Sequence, residues 1–330
     1  MNLNNLEKVL ETEPEYRLNQ AKAAVFKELI EDWMEASIFP LELRQKLNKN
    51  CPLSIKAEAA VSKTEDAVKA RITLEDNLKI ESVLTRHNDG RNTVCVSSQI
   101  GCPLACEFCA TGKMGFKRNL EPLEIAEQVL FFARYLKKEN KRAANVVFMG
   151  MGEPFLNYEN VIKATRIIND KDGLNIGARN ISISTIGVIE GIKKLTQEKL
   201  QVNLAVSLHA PNNKLRDKIM PINKKYPIEI ILKNIDDYIA KTNRQVMFEY
   251  LLIKGVNDSD ACSKKLAKLM DKPLYFLNLI SYNPTGIFQP SSVERTEKFK
   301  NILKKTGIKF SQRYKFGQDI KAACGQFAVK

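Results

Sequence analysis

An α/β fold built on a parallel sheet follows from three observations. Strand-like and helix-like segments alternate six times after residue 90, the chemically unusual residues fall where those strands stop, and the chain of 330 residues, 44% hydrophobic and 27% charged, can bury a large core. Ahead of the alternation, residues 15–50 read as helical. Leu18, Ala21, Val25, Leu29 and Trp33 recur at spacings of three and four, Phe39-Pro40 makes a turn, and a second short helix follows. A small helical domain over residues 1–60 is the reading. Residues 61–90 change to β-type text, with runs at 68–74 and 80–84 and a turn at Asn88-Asp89-Gly90, and form an extension leading into a core at 91–318. Residues 319–330 are left as a C-terminal tail.

Within the core, strands are predicted at 93–97, 145–149, 181–186, 202–208, 246–253 and 275–281. Helices are predicted at 122–138, 158–168 and 189–196, then as one long helical stretch reaching 240, then at 260–270 and 293–305. Six β-α units fall short of the eight of a closed barrel. Pattern alone therefore allows an open or partial barrel and a doubly wound sheet. Behind the first strand comes a cysteine loop, behind the second Gly150-Met151-Gly152-Glu153-Pro154, and behind later strands Ser184-Thr185, Ser207-Leu208-His209 and Asn283-Pro284. Ligands of parallel α/β sheets bind outside the carboxyl ends of the strands, so these positions converge on one predicted pocket.

Composition excludes several classes. No apolar run is long enough for a membrane helix, and the first residues lack a secretory layout, so a cytoplasmic address without a membrane partner is expected. Seven cysteines, four of them bunched as Cys95, Cys102, Cys106 and Cys109, do not read as a disulfide framework. The net charge of +14 favours a polyanion such as nucleic acid. Half of that excess lies in the last forty residues, where Arg295, Lys298, Lys300, Lys304, Lys305, Lys309, Arg313, Lys315, Lys321 and Lys330 face only Glu294, Glu297 and Asp319. A solvated lysine-rich helix face explains the same charge equally well.

Gly101-Cys102-Pro103-Leu104-Ala105-Cys106-Glu107-Phe108-Cys109 puts three thiols within one loop's reach of three corners of a [4Fe-4S] cluster. The fourth iron, lacking a protein ligand, can take the amino and carboxylate groups of S-adenosylmethionine, whose reductive cleavage yields a 5′-deoxyadenosyl radical. A zinc site with Cys95 as fourth ligand is the competing reading. The C-x-x-x-C-x-x-C spacing, with Phe108 before the third cysteine, resembles the signature of the radical S-adenosylmethionine superfamily.

Further motifs narrow the likeness: Cys95-Val96-Ser97-Ser98-Gln99 ahead of the loop, Ala110-Thr111-Gly112-Lys113-Met114-Gly115-Phe116 behind it, and Ala322-Ala323-Cys324-Gly325-Gln326 near the end. With them the chain closely resembles the dual-specificity adenine-C2 methyltransferases of 23S ribosomal RNA and transfer RNA. The resemblance implies a partial (β/α)6 TIM-like barrel with the helical domain and β extension appended. It implies two molecules of S-adenosylmethionine per turnover and a one-electron donor such as flavodoxin or ferredoxin, with no stable protein partner. Cys324 would be methylated and then carry a methylene radical to C2, Cys95 would resolve the adduct through a transient disulfide, and Glu81 would accept the C2 proton. Glu81 is otherwise an unremarkable exposed strand residue. Gly152, Glu153, Ser184, Ser207, Leu208, His209 and Asn283 match the cofactor site, with Gly152 allowing close backbone approach and Glu153 receiving the methionyl ammonium. Ala322 and Ala323 suit a mobile tail, His87 reads as surface, and Cys51 and Cys262 as structural thiols. The competing functions are C8 methylation of the same ribosomal adenine and a non-catalytic iron–sulfur RNA-binding protein.

Overall fold

A computed structural model describes residues 1–313 and 316–328; Lys315 and Lys330 of the basic C-terminal segment lie outside the described residues. Ten strands form one sheet: β1 (Ala57–Val61), β2 (Ala67–Thr73), β3 (Lys79–Arg86), β4 (Asn92–Cys95), β7 (Asn145–Phe148), β8 (Ile181–Thr185), β9 (Asn203–Ser207), β10 (Val246–Leu252), β11 (Tyr275–Ser281) and β12 (Phe310–Gln312). The short pair β5 (Gln99–Gly101) and β6 (Phe116–Asn119) makes a separate ribbon. From β1 to β4 the pairing is antiparallel; from β4 to β12 it is parallel. Every neighbour in the large sheet follows in chain order, with no reversal. A doubly wound sheet requires a switch point where strand order turns back, so that alternative is excluded and the open, barrel-like wall is what remains.

The parallel strands are buried on both faces, as β10 illustrates with six of its seven residues buried. The helices that cover them begin where the sequence supplies caps. For α4 (Pro122–Lys137), Glu121 and Glu124 form a capping box ahead of Pro122, while Ser259 caps α9 (Asp260–Met270) and Ser292 caps α10 (Val293–Lys305). Between these run α5 (Tyr158–Asn169) and α6 (Ile189–Leu195). The long helical stretch expected up to residue 240 is two helices, α7 (Asn213–Ile219) and α8 (Ile228–Thr242). Pro221 and Pro227 each stop the preceding segment and start the next.

At the amino end, α1 (Leu6–Val9), α2 (Tyr16–Phe26) and α3 (Leu41–Asn50) enclose a second hydrophobic cluster around Val25, Trp33, Phe39 and Leu47, joined by Leu130 of α4. The helical pattern that reaches Trp33 in the sequence ends at Phe26, because Leu29 turns left-handed at φ 60°. Trp33 instead lies in a short 3₁₀ turn held by the Asp32–Glu35 capping box. The strand extension begins at Ala57, ahead of the sequence boundary. The sequence pattern passes over β1 and β12: β1 is largely exposed, so apolar alternation is absent, and β12 is three residues long.

Candidate active site

Carboxyl ends of five parallel strands and the cysteine loop meet around one cavity with about 970 Å³ of atom-free space, part of it open to solvent. Its wall includes Gly152 and Glu153 beyond β7, Ser184 and Thr185 of β8, Ser207 and His209 at β9, and Glu249 of β10, while Cys102, Cys106, Cys109 and Cys324 close it from the loops.

The cysteine loop is shaped by its own backbone. Cys102 N–H donates to the Gly115 carbonyl at 3.0 Å, Cys109 N–H to the Cys106 carbonyl at 3.0 Å, and Ala105 turns at φ 47°. Burial pushes Cys102 up to about 12 and Cys106 well above the ordinary thiol range, with neighbouring thiols adding to both. Such a set favours a cationic iron–sulfur group that binds thiolates and removes their mutual repulsion, so the residues fit a cluster. Cys95 does not line the cavity that Cys102, Cys106 and Cys109 line. The zinc reading loses its fourth ligand on geometry.

Glu153 is nearly sealed from solvent, and desolvation raises it from 4.5 to about 7. Its oxygens accept N–H bonds from Phe155 at 3.0 Å and Ile186 at 2.9 Å, which fix the carboxylate and leave lone pairs toward the cavity for an ammonium. Gly152 lines the cavity, and at φ 96° a Cβ there would meet the Gln99 side chain at 2.5 Å, so its backbone also packs closely on β5. His209, also left-handed at φ 55°, accepts from Leu251 N–H through Nδ1 at 3.1 Å and lies edge-on to Phe108. Burial lowers it to about 3, leaving a neutral ring whose Nε2–H donates, not a metal ligand.

Two expected lining residues are elsewhere. Leu208 is fully buried in the main core, with its N–H donated to the Glu249 carbonyl and its own carbonyl taken by Arg216, and Asn283 turns its amide to the tail, donating to the Cys324 carbonyl at 3.2 Å. The tail itself is fastened, contrary to the mobile reading of Ala322 and Ala323, which are both buried. Gly317 N–H meets Asp66 at 3.2 Å, Lys63 N–H meets Asp319 at 2.8 Å, Ala110 N–H meets the Gly325 carbonyl at 2.8 Å, and Thr111 donates to the Phe327 carbonyl at 2.7 Å. A Cβ on Gly317, at φ 53°, would stand 2.7 Å from that of Ala67, which forces glycine where the tail crosses β2. Cys324 is thereby presented to the cavity with an exposed side chain, although the crowded wall still raises its thiol to about 11. Cys95, at the end of β4, is pushed up to about 12 by burial, and the Cys324 thiolate is close enough to add to that shift.

Glu81 is fully buried, not an exposed strand residue, and pairs with Lys69 at 2.8 Å. His87 is half-buried against Phe316 and within 3.0 Å of the Thr93 hydroxyl, so its surface reading is corrected too. Cys51 and Cys262 are buried. Two cations that build the site, Arg216 and Arg313, carry no motif signal, whereas Gln99 belongs to the motif ahead of the loop. Buried Arg216 of α7 donates to the carbonyls of Ile186, Ser207, Leu208 and Tyr226, tying the ends of β8 and β9 together. Gln99 accepts from Glu153 N–H at 2.8 Å, and Arg313 pairs with Glu249 at 2.8 Å. Only a buried cation following the Ser207-Leu208-His209 strand end could have signalled Arg216, and α7 looks like an ordinary charged helix. Part of the C-terminal basic excess is also neutralised locally, since Arg295 and Lys298 pair with Asp260 and Lys300 with Glu297.

A partial barrel with three loop thiols over its strand ends defines the class, and the model of the radical SAM superfamily matches residues 96–263. A solved radical SAM methyltransferase from Sphaerobacter thermophilus is 41% identical and superposes with a TM-score of 0.93 over 99% of this chain and 97% of its own. Among curated relatives, the probable dual-specificity RNA methyltransferase RlmN of Dictyoglomus thermophilum is 45% identical over 95% of this chain and 90% of its own. The one of Thermotoga neapolitana is 46% identical over 96% and 92%. The chain belongs to the RlmN family of radical SAM methyltransferases.

Proposed function

We propose that the chain methylates C2 of an adenine in 23S ribosomal RNA and in transfer RNA, using Cys324 as a methyl carrier, Cys95 as the resolving thiol and Glu81 as the proton acceptor. One observation carries the reading: Cys324 lines the same cavity as Cys102, Cys106 and Cys109, and Cys95 stands within electrostatic reach of it. The relatives, described as dual-specificity RNA methyltransferases, support RNA as the substrate class.

Cys102, Cys106 and Cys109 would hold the [4Fe-4S] cluster. Gly152, Glu153, Ser184, Ser207 and His209 on the cavity wall would hold S-adenosylmethionine, with Leu208 fixing the strand end from the core and Asn283 holding the Cys324 segment beside it. When bound and reduced by flavodoxin or ferredoxin, this pair supplies a 5′-deoxyadenosyl radical. Adenine C2 is an electron-poor carbon and does not attack a sulfonium, which explains the need for a carrier. Cys324 takes a methyl group from a first S-adenosylmethionine, forming a C–S bond and releasing S-adenosylhomocysteine. Loss of a hydrogen atom from that methyl leaves a methylene radical on Cys324, which adds to C2. The adduct gives the C2 proton to Glu81 and one electron to the redox system that supplied one. Cys95 thiolate then attacks the Cys324 sulfur, so an S–S bond forms, the C–S bond breaks, and the carbon takes a proton to become the methyl product. External thiols reduce the disulfide before the next turnover.

The division into helical domain, strand extension, barrel and tail then has a functional sense. The extension is the bed on which the tail lies, the barrel holds the cofactors, and the basic surface outside the helical domain receives RNA phosphates. Seven free thiols suit work in the cytoplasm. Replacing Cys324→Ala should abolish RNA methylation while preserving absorbance near 400 nm and 5′-deoxyadenosine formation; full methylation by that variant would overturn the assignment.

A further inference from the structure

Lys69 and Glu81 are brought together by strand register. Lys69 of β2 lies opposite Val83 of β3, and Glu81 is two residues before Val83 on the same face, so the two side chains meet diagonally across the ladder. Their ion pair at 2.8 Å would pass as ordinary support for a buried carboxylate if it were the whole arrangement. It is not. The Lys69 ammonium also donates to the Lys321 carbonyl at 3.2 Å and lies 5.9 Å from the centre of the Phe327 ring. The other Glu81 oxygen accepts the Ala328 N–H at 3.0 Å.

All of these further contacts go to the tail, and they bracket Cys324. Lys321 stands three residues before it and Phe327 and Ala328 three and four after, so one strand pair grips both ends of the segment that presents the thiol. We propose that Lys69 is a positioning residue that latches the tail: it fixes the Glu81 carboxylate and both ends of the Cys324 segment in one register. This deepens the function proposed above and rests on it.

Lys69 also supplies the buried Glu81 carboxylate with a countercharge that does not depend on the tail, so the carboxylate keeps a partner if the Ala328 hydrogen bond is released.

Amide hydrogen exchange on the full chain carrying its cluster, without RNA, reads the latch directly. Exchange across residues 317–328 should quicken by about tenfold or more in Lys69→Gln and stay within about threefold of the parent in Lys69→Arg, which keeps the charge. In turnover, Lys69→Gln should release roughly tenfold more 5′-deoxyadenosine per methyl group placed on RNA, because a misplaced acceptor uncouples cofactor cleavage from transfer. Unchanged tail exchange in folded Lys69→Gln overturns the latch. Should that variant not fold, Phe327→Leu removes the ring alone and should still quicken tail exchange about threefold; no change there overturns the proposal equally. Exchange is read without substrate, so an inactive parent enzyme would sink the proposed function and leave the latch standing.

Discussion

The amino-terminal helical cluster and the strand-end cavity are built from the same chain by opposite rules. In the first, Trp33, Leu47 and Val25 are sealed from water, the Trp33 indole N–H reaches the Cys51 carbonyl at 2.7 Å, and buried Arg134 of α4 is satisfied by the carbonyls of Leu53 and Ile30. In the second, Glu153 is raised to about 7, Cys102 to about 12, and His209 is lowered to about 3, with left-handed backbone at Ala105 and His209. Desolvated thiols, a carboxyl and an imidazole are thus gathered where cofactors bind, whereas in the helical unit the desolvated Cys51 and Arg134 and the left-handed Leu29 serve packing. Perturbed groups gathered in one cleft are the mark of a reacting site.

Breaking each region should give different losses. Cys106→Ala should remove the largest amount of function: no iron–sulfur absorbance and no cleavage of S-adenosylmethionine, with a cooperative unfolding transition retained; a brown, active variant would refute the ligand assignment. Trp33→Ala should lower stability by about 3–5 kcal/mol in denaturant unfolding, yet leave activity per folded molecule intact. Arg216→Met tests the boundary between the two rules, since it strands four buried carbonyls at the cofactor wall. It should cost roughly 1–3 kcal/mol and weaken S-adenosylmethionine binding in calorimetry, whereas loss of stability alone would confine Arg216 to the scaffold. The smallest effect is expected far from both regions, at the Arg86–Glu139 pair, where the guanidinium hydrogen bonds hold Glu139 at about 2, below its usual 4.5. A depressed carboxyl stabilises above its unfolded value and loses that contribution as pH falls from about 4.5 toward 2. Because the pair is partly solvated, Glu139→Gln should cost under about 1 kcal/mol at pH 7, and nothing once the Glu139 carboxyl is protonated in the folded and the unfolded chain alike.

The same contrast explains what the sequence made readable. Strands β10 and β11 and helices α9 and α10 announce themselves because burial on a regular element imposes a period, and the six-unit alternation and the cysteine loop follow from that. Glu81 and Leu208 could not be placed, since whether a strand residue faces a cavity, a core or a tail depends on partners from other elements: Ala328 of the tail for Glu81, Arg216 of α7 for Leu208. Gly152 shows the same limit, as its motif was visible while the neighbour that demands a glycine, Gln99, was not. Sheet order, which decided between barrel and doubly wound architectures, is likewise a property of pairing and not of any one segment.

The carrier role of Cys324 is the centre of the account, and S-adenosylmethionine with a fully deuterated methyl group tests it most directly. RNA methylated by the reduced enzyme, digested and analysed by mass spectrometry, should yield 2-methyladenosine whose new methyl group has lost one deuterium to 5′-deoxyadenosine and gained one solvent hydrogen. A fully deuterated methyl group on the RNA would mean direct transfer without a methylene radical on Cys324, and 8-methyladenosine or no product would contradict the C2 assignment.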